Sequence, residues 1–420
     1  MKVRAASFVV AAALALSMGA CSTNNGSGTE STAGTSPETT AAAQVTDVTL
    51  TVWAPQEDQV DANSWLPKEE AAFEAAHPEY KITWKNSVVS EGDAGKTVQQ
   101  DPSAAADVYL FANDQLGTLI QAGAIGTLPP ASLAQVQGQA SDFVLASVTG
   151  ADGKVYGIPY TTNTWFMYYN KAKFTADDIK SLDAMLAKGK VSFPLDNSWY
   201  IASFYMGAGG SLFGATGDDA AAGIKLGDKA ADVTAYLANM VANPNFVNDA
   251  QGSGLAGIQN GTVDVLFSGS WDAENVKTAL GDNYAAAQPP TFTVDGASAE
   301  IQAFAGTKAV GFNPKSKNPT AASQFAAFLG DKAAQQDHFT MRGIIPTDKN
   351  LATDPAVVAD PVAAAQNGTI DNSSILQPSI AEMGDWWTPA ENFGKSLLSK
   401  EVTVDNAKDK TAAWQAAYGA

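Results

Sequence analysis

Alternation of strand-type and helix-type segments constrains the fold of this chain most. Short apolar runs typical of strands lie at Val48–Trp53, Lys81–Trp84 and Val108–Phe111. Helix-type segments follow the first and third runs, at Pro67–Ala76 and Gln115–Gln121. Because strands that alternate with helices form βαβ units, the sequence predicts an α/β fold with a mainly parallel sheet.

The same alternation continues to the end of the chain, without an internal repeat or a second flexible linker. Further strands are predicted at Val155–Tyr160, Trp165–Tyr169, Val191–Phe193, Val263–Phe267, Tyr284–Ala287 and Lys308–Phe312. Further helices are predicted at Ser181–Lys188, Tyr200–Met206, Lys229–Val241, Asp272–Leu280, Thr320–Leu329, Pro355–Asn367, Trp387–Ser399 and Val404–Tyr418. A chain of 420 residues is long enough for more than one domain. We therefore expect two α/β lobes between which the chain crosses several times.

The N-terminus has the features of a secretory signal. Lys2 and Arg4 precede an apolar stretch over residues 5–20, which is too short to span a membrane. The stretch ends in Met-Gly-Ala-Cys at residues 18–21, which resembles a bacterial lipobox. This resemblance implies a signal peptide over residues 1–21 and lipidation at Cys21, which would become the mature N-terminus. The alternative is a secreted protein with a chance cysteine.

Residues 22–46 predict a flexible tether. They contain no Leu, Ile, Phe, Met, Trp or Tyr and consist largely of Ser, Thr, Asn, Gly and Ala. Such a segment cannot bury enough apolar surface to offset the entropy lost on ordering. It would connect a lipid anchor to the folded part of the chain.

Charge and composition exclude several classes of function. The formal net charge is -19, and an acidic surface repels nucleic acid and anionic lipid but accepts a neutral ligand such as a sugar. The single cysteine cannot form an internal disulfide. His77 and His338 are the two histidines and lie far apart in sequence, so we expect no metal site, no cofactor and no catalytic Ser-His-Asp triad.

Five segments together carry a family resemblance. They are Leu50–Trp53, Ala106–Asp114, Asp152–Lys171, Pro378–Asn392 and, less distinctively, Asn260–Trp271. In this order they resemble the extracellular solute-binding proteins of family 1, most closely the bacterial maltose and maltodextrin-binding lipoproteins of ABC importers. The resemblance extends over nearly all of the chain beyond residue 47.

The resemblance implies a two-lobed fold of the type II periplasmic-binding-protein class, with the lobes joined by a multi-strand hinge. The N-terminal lobe would comprise residues 47–160 plus 310–355, and the C-terminal lobe 161–305 plus 356–420. The implied function is capture of an oligosaccharide, above all maltose or maltodextrin, by hinge closure. A monomer lipid-anchored to the extracellular face of the cytoplasmic membrane would then deliver the sugar to the transmembrane permease, without acting as an enzyme.

Candidate ligand contacts combine aromatic and polar side chains. A sugar ring has apolar C–H faces and a rim of hydroxyls, so it needs flat apolar partners and bidentate polar ones. At positions matching the family motifs, the aromatic candidates are Trp53, Phe111, Trp199, Tyr200, Trp271 and Trp387. The polar candidates are Glu57, Asp58, Asn113, Asp114, Asn163, Asp196 and Asn197. For each aromatic residue the alternative is core packing; Trp84, Trp165 and Trp414 are assigned to the core, and Trp65 and Trp386 are left open.

Departures from the family pattern leave the particular sugar open. Asp58 and Gln115 stand where maltose-binding relatives often carry basic residues, and Asn163 and Asn197 stand where a carboxylate is common. The same fold could therefore bind another oligosaccharide. A surface-anchored glycoside hydrolase is a further alternative, although it would need two carboxyl groups that face each other across the scissile bond.

Overall fold

The structure, a computed structural model, describes residues 45–250 and 252–419. The predicted signal peptide, the lipidation site at Cys21 and nearly all of the predicted tether lie outside these residues. In the part of the chain that is described, no helix is both long and apolar enough to cross a membrane.

Fifteen strands and sixteen α-helices lie within the described residues, and short 3-10 turns connect several of them. The strands are β1 (Thr46–Ala54), β2 (Tyr80–Val88), β3 (Val108–Ala112), β4 (Ile158–Asn163), β5 (Phe166–Asn170), β6 (Val191–Phe193), β7 (Ser211–Leu212), β8 (Ile224–Lys225), β9 (Phe246–Asn248), β10 (Val265–Ser268), β11 (Tyr284–Ala287), β12 (Thr291–Val294), β13 (Ala297–Glu300), β14 (Ala303–Phe312) and β15 (Ser374–Leu376). The helices are α1 (Trp65–Ala76), α2 (Ala94–Gln100), α3 (Leu116–Gln121), α4 (Pro130–Gln139), α5 (Asp142–Ser147), α6 (Leu182–Lys188), α7 (Ser198–Gly207), α8 (Ala230–Ala242), α9 (Ser253–Asn260), α10 (Ala273–Leu280), α11 (Pro319–Leu329), α12 (Lys332–Arg342), α13 (Pro355–Val358), α14 (Pro361–Asn372), α15 (Gly384–Leu398) and α16 (Ala407–Ala416).

The first lobe is built on a six-stranded mixed sheet. Its order is β15-β14-β3-β1-β2, and β4 also pairs with β14. β1 runs parallel to both β2 and β3, whereas β14 runs antiparallel to β3 and β4. Apolar clusters cover both faces: one contains Trp65, Phe73 and Phe325, and the other contains Tyr109 and Phe111.

The second lobe is built on a five-stranded sheet of order β11-β5-β10-β6-β9. β10, β6 and β9 run parallel, while β5 and β11 pair antiparallel at the other side. A large apolar cluster includes Trp165, Phe193, Phe204 and Trp386, and helices α7 and α15 contribute much of it. This two-sheet arrangement confirms the predicted α/β architecture.

Several segments cross between the lobes and form the predicted multi-strand hinge. β4 of the first sheet is followed almost at once by β5 of the second, and the Thr164 hydroxyl between them donates to the Phe304 carbonyl oxygen, 2.9 Å away. Phe304, at the start of β14, packs in the second-lobe core, whereas Val310 near its end packs in the first. β15 pairs parallel with the first residues of β14. The exact residues at which the lobes divide stay a prediction.

The helix predicted over Pro355–Asn367 is wrong in one respect, because two helices occupy this region. α13 ends at Val358 and α14 begins at Pro361. Proline lacks the backbone N–H that a helix interior needs but fits the first turn. Asp360 caps α14, since its carboxylate accepts from the Val362 N–H at 2.7 Å.

Candidate functional site

The carboxyl ends of the parallel strands bring most of the predicted polar residues to the sheet edges. Glu57 and Asp58 follow β1, and Asn113 and Asp114 follow β3. In the second lobe, Asp196 and Asn197 follow β6, and Trp271 follows β10. In open α/β sheets, ligands bind in the crevice outside the carboxyl ends of the strands.

An aromatic pair stands at the second-lobe edge. The rings of Trp199 and Trp271 lie 6.2 Å apart between centroids at an interplanar angle of 39°. Trp271 is 45% exposed, which is unusual for so large an apolar side chain. An exposed indole that a neighbouring indole supports offers a flat apolar face to solvent, as a sugar ring requires.

Local geometry places both tryptophans. The exposed Asn197 is the N-cap of α7, and its side-chain oxygen accepts from the Trp199 N–H at 2.9 Å. Trp271 follows Gly269, and its ring lies so close that a β-carbon at position 269 would fall 2.0 Å from an indole carbon. The Trp199 indole N–H donates to the Gln377 side-chain oxygen at 2.6 Å.

The remaining aromatic candidates differ in exposure. Trp387 is half-buried on α15, and its ring lies 6.2 Å from the Phe304 ring at an interplanar angle of 78°, near the hinge. Tyr200 is 7% exposed and stacks on Trp165 at 5.0 Å. Burial raises the pKa of Tyr200 far above its usual value, so its hydroxyl remains protonated.

Three of the six predicted aromatic contacts are core residues, namely Tyr200 in the second lobe and Phe111 and Trp53 in the first. Phe111 has no exposed surface and packs in the apolar cluster with Tyr109, because its position in β3 directs it to that face. Trp53 is 8% exposed and belongs to the same cluster, 6.0 Å from the Tyr109 ring. A buried ring has no free face for a ligand, so the assignment of Phe111 to the ligand is corrected, and Trp53 has little surface left for one.

Asp58 is also placed differently from the expectation. Its buried carboxylate accepts from Arg342 Nη1 at 2.6 Å and contacts His338 Nε2 at 3.0 Å. Burial alone would raise the pKa of Asp58, but His338 and Arg342 hold it below its usual value. Because a buried charge must be paired, the bonds of Asp58 to His338 and Arg342 hold the loop after β1 in place. The neighbouring Glu57 is exposed.

The other first-lobe candidates lie where β3, β4 and β14 meet. The Asn113 side chain accepts from the Thr307 N–H at 3.2 Å, and its amide donates to the Gln377 carbonyl oxygen at 3.5 Å. Asp114 is half-buried and accepts from the Gln115 amide at 3.0 Å. Burial raises the pKa of Asp114, against the effect of its hydrogen bonds.

Asn163 and Asp196 remain available for polar contacts. Asn163 ends β4 opposite Gly306 and is half-buried. Asp196 is also half-buried, and its carboxylate accepts from the Asn248 amide at 3.1 Å. Each keeps polar atoms that could serve a hydroxyl-bearing ligand.

Sequence reasoning missed a second charged group at the first-lobe edge. Glu91 accepts from the Tyr160 hydroxyl at 2.8 Å and from Lys308 Nζ at 3.1 Å. Burial alone would raise the pKa of Glu91, but Lys308 and Tyr160 hold it below its usual value. The predicted second strand ended at Trp84, whereas β2 continues to Val88, so its polar carboxyl end was not recognised.

Sequence reasoning also missed Gln377 and a nearby cavity. A cavity of about 900 Å³ lies between α5, the loop after β7 and residues 375–380. None of the predicted ligand contacts lines it, whereas Gln377 does and also bonds Trp199. A lone glutamine in a segment without periodic pattern gave no signal that could have found it.

No group of three or more His, Cys, Asp and Glu side chains within residues 45–250 and 252–419 is arranged to hold a metal ion. The tryptophans that were left open, Trp65 and Trp386, are both fully buried. Trp65 stacks on His338 at 4.0 Å, and the Trp386 indole N–H donates to the Ser198 carbonyl oxygen at 3.0 Å.

Comparison with known proteins identifies relatives over most of the chain. The family model described as "Bacterial extracellular solute-binding protein" matches residues 70–365. The galactooligosaccharide-binding protein of Bacillus subtilis is 25% identical over 96% of this chain and 94% of its own length. A maltooligosaccharide ABC transporter solute-binding lipoprotein of Streptococcus pneumoniae is 28% identical over 78% of this chain and 79% of its own.

Solved structures support the same fold. One determined with acarbose is 45% identical, has a TM-score of 0.85, and matches over 89% of this chain and 99% of its own. The maltodextrin binding protein MalE1 from L. casei, solved without ligand, is 28% identical with a TM-score of 0.80, over 89% of this chain and 100% of its own. The two-lobed fold predicted from the sequence is thereby confirmed.

Proposed function

Since the chain belongs to the bacterial extracellular solute-binding proteins, we propose that it is the oligosaccharide-binding subunit of an ABC importer. Its ligand is a malto-oligosaccharide. It binds this sugar between the carboxyl edges of the two sheets and delivers it to the transmembrane permease. Lipid attachment at Cys21 would keep the protein at the outer face of the membrane.

One observation carries this proposal, namely the pairing of the exposed Trp271 with the half-buried Trp199 at the second-lobe edge. Trp271 and Trp199 present apolar ring surface beside polar groups, among them Asp196 and the hinge residue Gln377. Stacking ring faces together with convergent hydrogen-bonding groups match the C–H faces and hydroxyl rim of a sugar. The names of the relatives support the same class of ligand.

The charges at the two edges favour an uncharged sugar. In the first lobe Arg342 and Lys308 are engaged by Asp58 and Glu91. In the second lobe the edge contributes Asp196 and Asp272. An acidic surface of this kind disfavours sugar phosphates and uronic acids, because like charges repel.

The protein would act by binding without hydrolysis. Closure of the hinge around the sugar would then signal to the permease that the sugar is bound. The sugar favours the closed form only by its differential affinity for the open and closed states. Galacto-oligosaccharides are a second candidate, because the matched Bacillus subtilis relative is named for binding them.

A glycan panel tests the proposal. Malto-oligosaccharides of two to seven units and galacto-oligosaccharides would be added to purified protein, and the melting temperature and the heat of binding measured. A ligand that binds only the folded state raises the melting temperature. We expect the largest shift with malto-oligosaccharides and no new reducing ends. A larger shift with galacto-oligosaccharides would make these the ligand in place of malto-oligosaccharides. Steady release of reducing ends would indicate a hydrolase.

A further inference from the structure

Gln377 occupies the point where the two lobes and the hinge meet. It follows β15, and its backbone N–H donates to the Ala305 carbonyl oxygen of β14 at 2.8 Å. Its carbonyl oxygen accepts from Asn113, which follows β3 of the first lobe. Its side chain accepts from Trp199 of the second lobe at 2.6 Å. One residue of the hinge is thus bonded to a candidate ligand contact in each lobe.

The amide nitrogen Nε2 of the Gln377 side chain is not used by the bond to Trp199. The residue is 4% exposed, and its Nε2 makes no hydrogen bond within the described part of the chain. The Gln377 carboxamide faces the Asp114 carboxylate and lowers its pKa against the effect of burial, so Nε2 approaches a candidate ligand contact without reaching hydrogen-bond geometry. A buried amide nitrogen without a partner costs free energy, and such groups in folded proteins call for an explanation.

We propose that Gln377 is a further ligand-binding and positioning residue, whose Nε2 donates to a sugar hydroxyl while its side-chain oxygen holds the Trp199 indole. This inference rests on the proposed function and deepens it. Because Gln377 belongs to the hinge, the new hydrogen bond forms only when the ligand is in place, and it links sugar binding to the position of β15. A ligand that bonds better to the closed form shifts the balance towards closure.

Methionine at position 377 provides the first test. Gln377→Met preserves length and removes both hydrogen-bonding groups. We expect affinity for the best oligosaccharide of the panel to fall about tenfold, as for loss of a buried hydrogen-bonding group. The compaction measured by small-angle X-ray scattering at saturating sugar should also decrease. The matched control is Gln135→Met, which removes a half-buried amide that donates to the Ala327 carbonyl oxygen between α4 and α11.

A double-mutant cycle separates direct contact from an effect through Trp199. Trp199→Phe keeps a ring but loses the indole N–H that donates to the Gln377 side-chain oxygen. If Nε2 touches the sugar, Gln377→Met weakens binding further in the Trp199→Phe background. If Gln377 acts only by holding the indole, the second substitution adds nothing and the direct contact is refuted.

Gln377→Glu decides the matter should the methionine variant fail to fold. It retains the shape and an oxygen that accepts from Trp199, but it replaces the Nε2 donor by an acceptor. We expect binding at least as weak as in the methionine variant. Wild-type affinity and full compaction in the folded variants would overturn the inference. Failure of the wild-type protein to bind any oligosaccharide would instead overturn the proposed function.

Discussion

The indole ring of Trp271 occupies the space where a side chain on Gly269 would have to be. A β-carbon built at position 269 would lie 2.0 Å from one ring carbon and 2.2 Å from the next. The backbone of Gly269 has φ -106° and ψ -171°, which any residue can adopt. Glycine is therefore required here for the ring and not for the turn.

Replacement of this glycine should displace the ring without unfolding the lobe. We expect Gly269→Ala to weaken oligosaccharide binding about tenfold, because the indole must rotate away from its supported position beside Trp199. Calorimetric titration measures this effect. Gly138→Ala is the control, since an added β-carbon there meets nothing within 4 Å and α4 should gain about 0.5–1 kcal/mol of stability. Equal affinities for both variants would show that the position of Trp271 is irrelevant to binding.

Removal of each exposed or half-buried tryptophan should separate affinity from stability. Trp271→Ala is expected to weaken sugar binding by about 1–3 kcal/mol. The melting temperature should change little, because the ring is 45% exposed. Trp387→Ala should cause a similar loss of binding together with some loss of stability, because this ring also packs near Phe304. Unchanged affinity in both variants would remove these residues from the site.

The sequence was most informative where apolar residues form an unbroken run or recur at helical spacing. The predicted strand Val108–Phe111 corresponds to β3, and the predicted helix Pro67–Ala76 lies within α1. Trp165 and Trp414 are buried as expected. An unbroken apolar run indicates a strand buried on both faces, and helical spacing indicates which side of a helix faces the core, so such elements could be predicted.

The polar network was less predictable because it depends on pairing across the fold. Asp58 and Arg342 are separated by 284 positions, yet their side chains form an ion pair. Family position suggested that Asp58 faces a ligand, whereas burial with a basic partner gives it a structural role. The aromatic residue Phe111 shows the same limit, since β3 directs its ring into the core.

Glu69 should give the stability of the protein a pH dependence. Burial, together with the negative charges of Asp337 and Asp331, raises the pKa of this α1 carboxyl to about 7. Because the unfolded chain releases this proton near pH 4.5, the unfolded state binds fewer protons between these values. The contribution of Glu69 to stability therefore falls as pH rises from about 4.5 to 7 and stays low above that.

Glu69→Gln should remove this contribution. We expect the variant to be more stable than the wild type at pH 8, on the order of 1–3 kcal/mol, and to differ much less at pH 4.5. Urea unfolding at the two pH values measures the difference. Glu57→Gln is the control, because Glu57 is exposed in the loop after β1, and this variant should show no such change. A constant difference between wild type and Glu69→Gln across pH would contradict the raised pKa.

The lipobox resemblance predicts that membrane attachment depends on Cys21, at the predicted cleavage site. Cys21→Ala should release the protein from bacterial membranes into the medium or periplasm, because lipidation requires the thiol. Fractionation followed by immunoblotting measures this distribution, and oligosaccharide binding by the released protein should equal that of the wild type. Persistent association of the variant with membranes would mean that another segment anchors the chain.

A crystal structure of the protein grown with maltotetraose would show whether the sugar binds between the two sheet edges. We expect a sugar chain between the two lobes, with one ring against the Trp199–Trp271 pair and hydroxyls bonded to Asp114 and Gln377. A sugar bound instead in the cavity beside α5, with both indoles bare, would contradict it, as would a structure without bound sugar at saturating concentration.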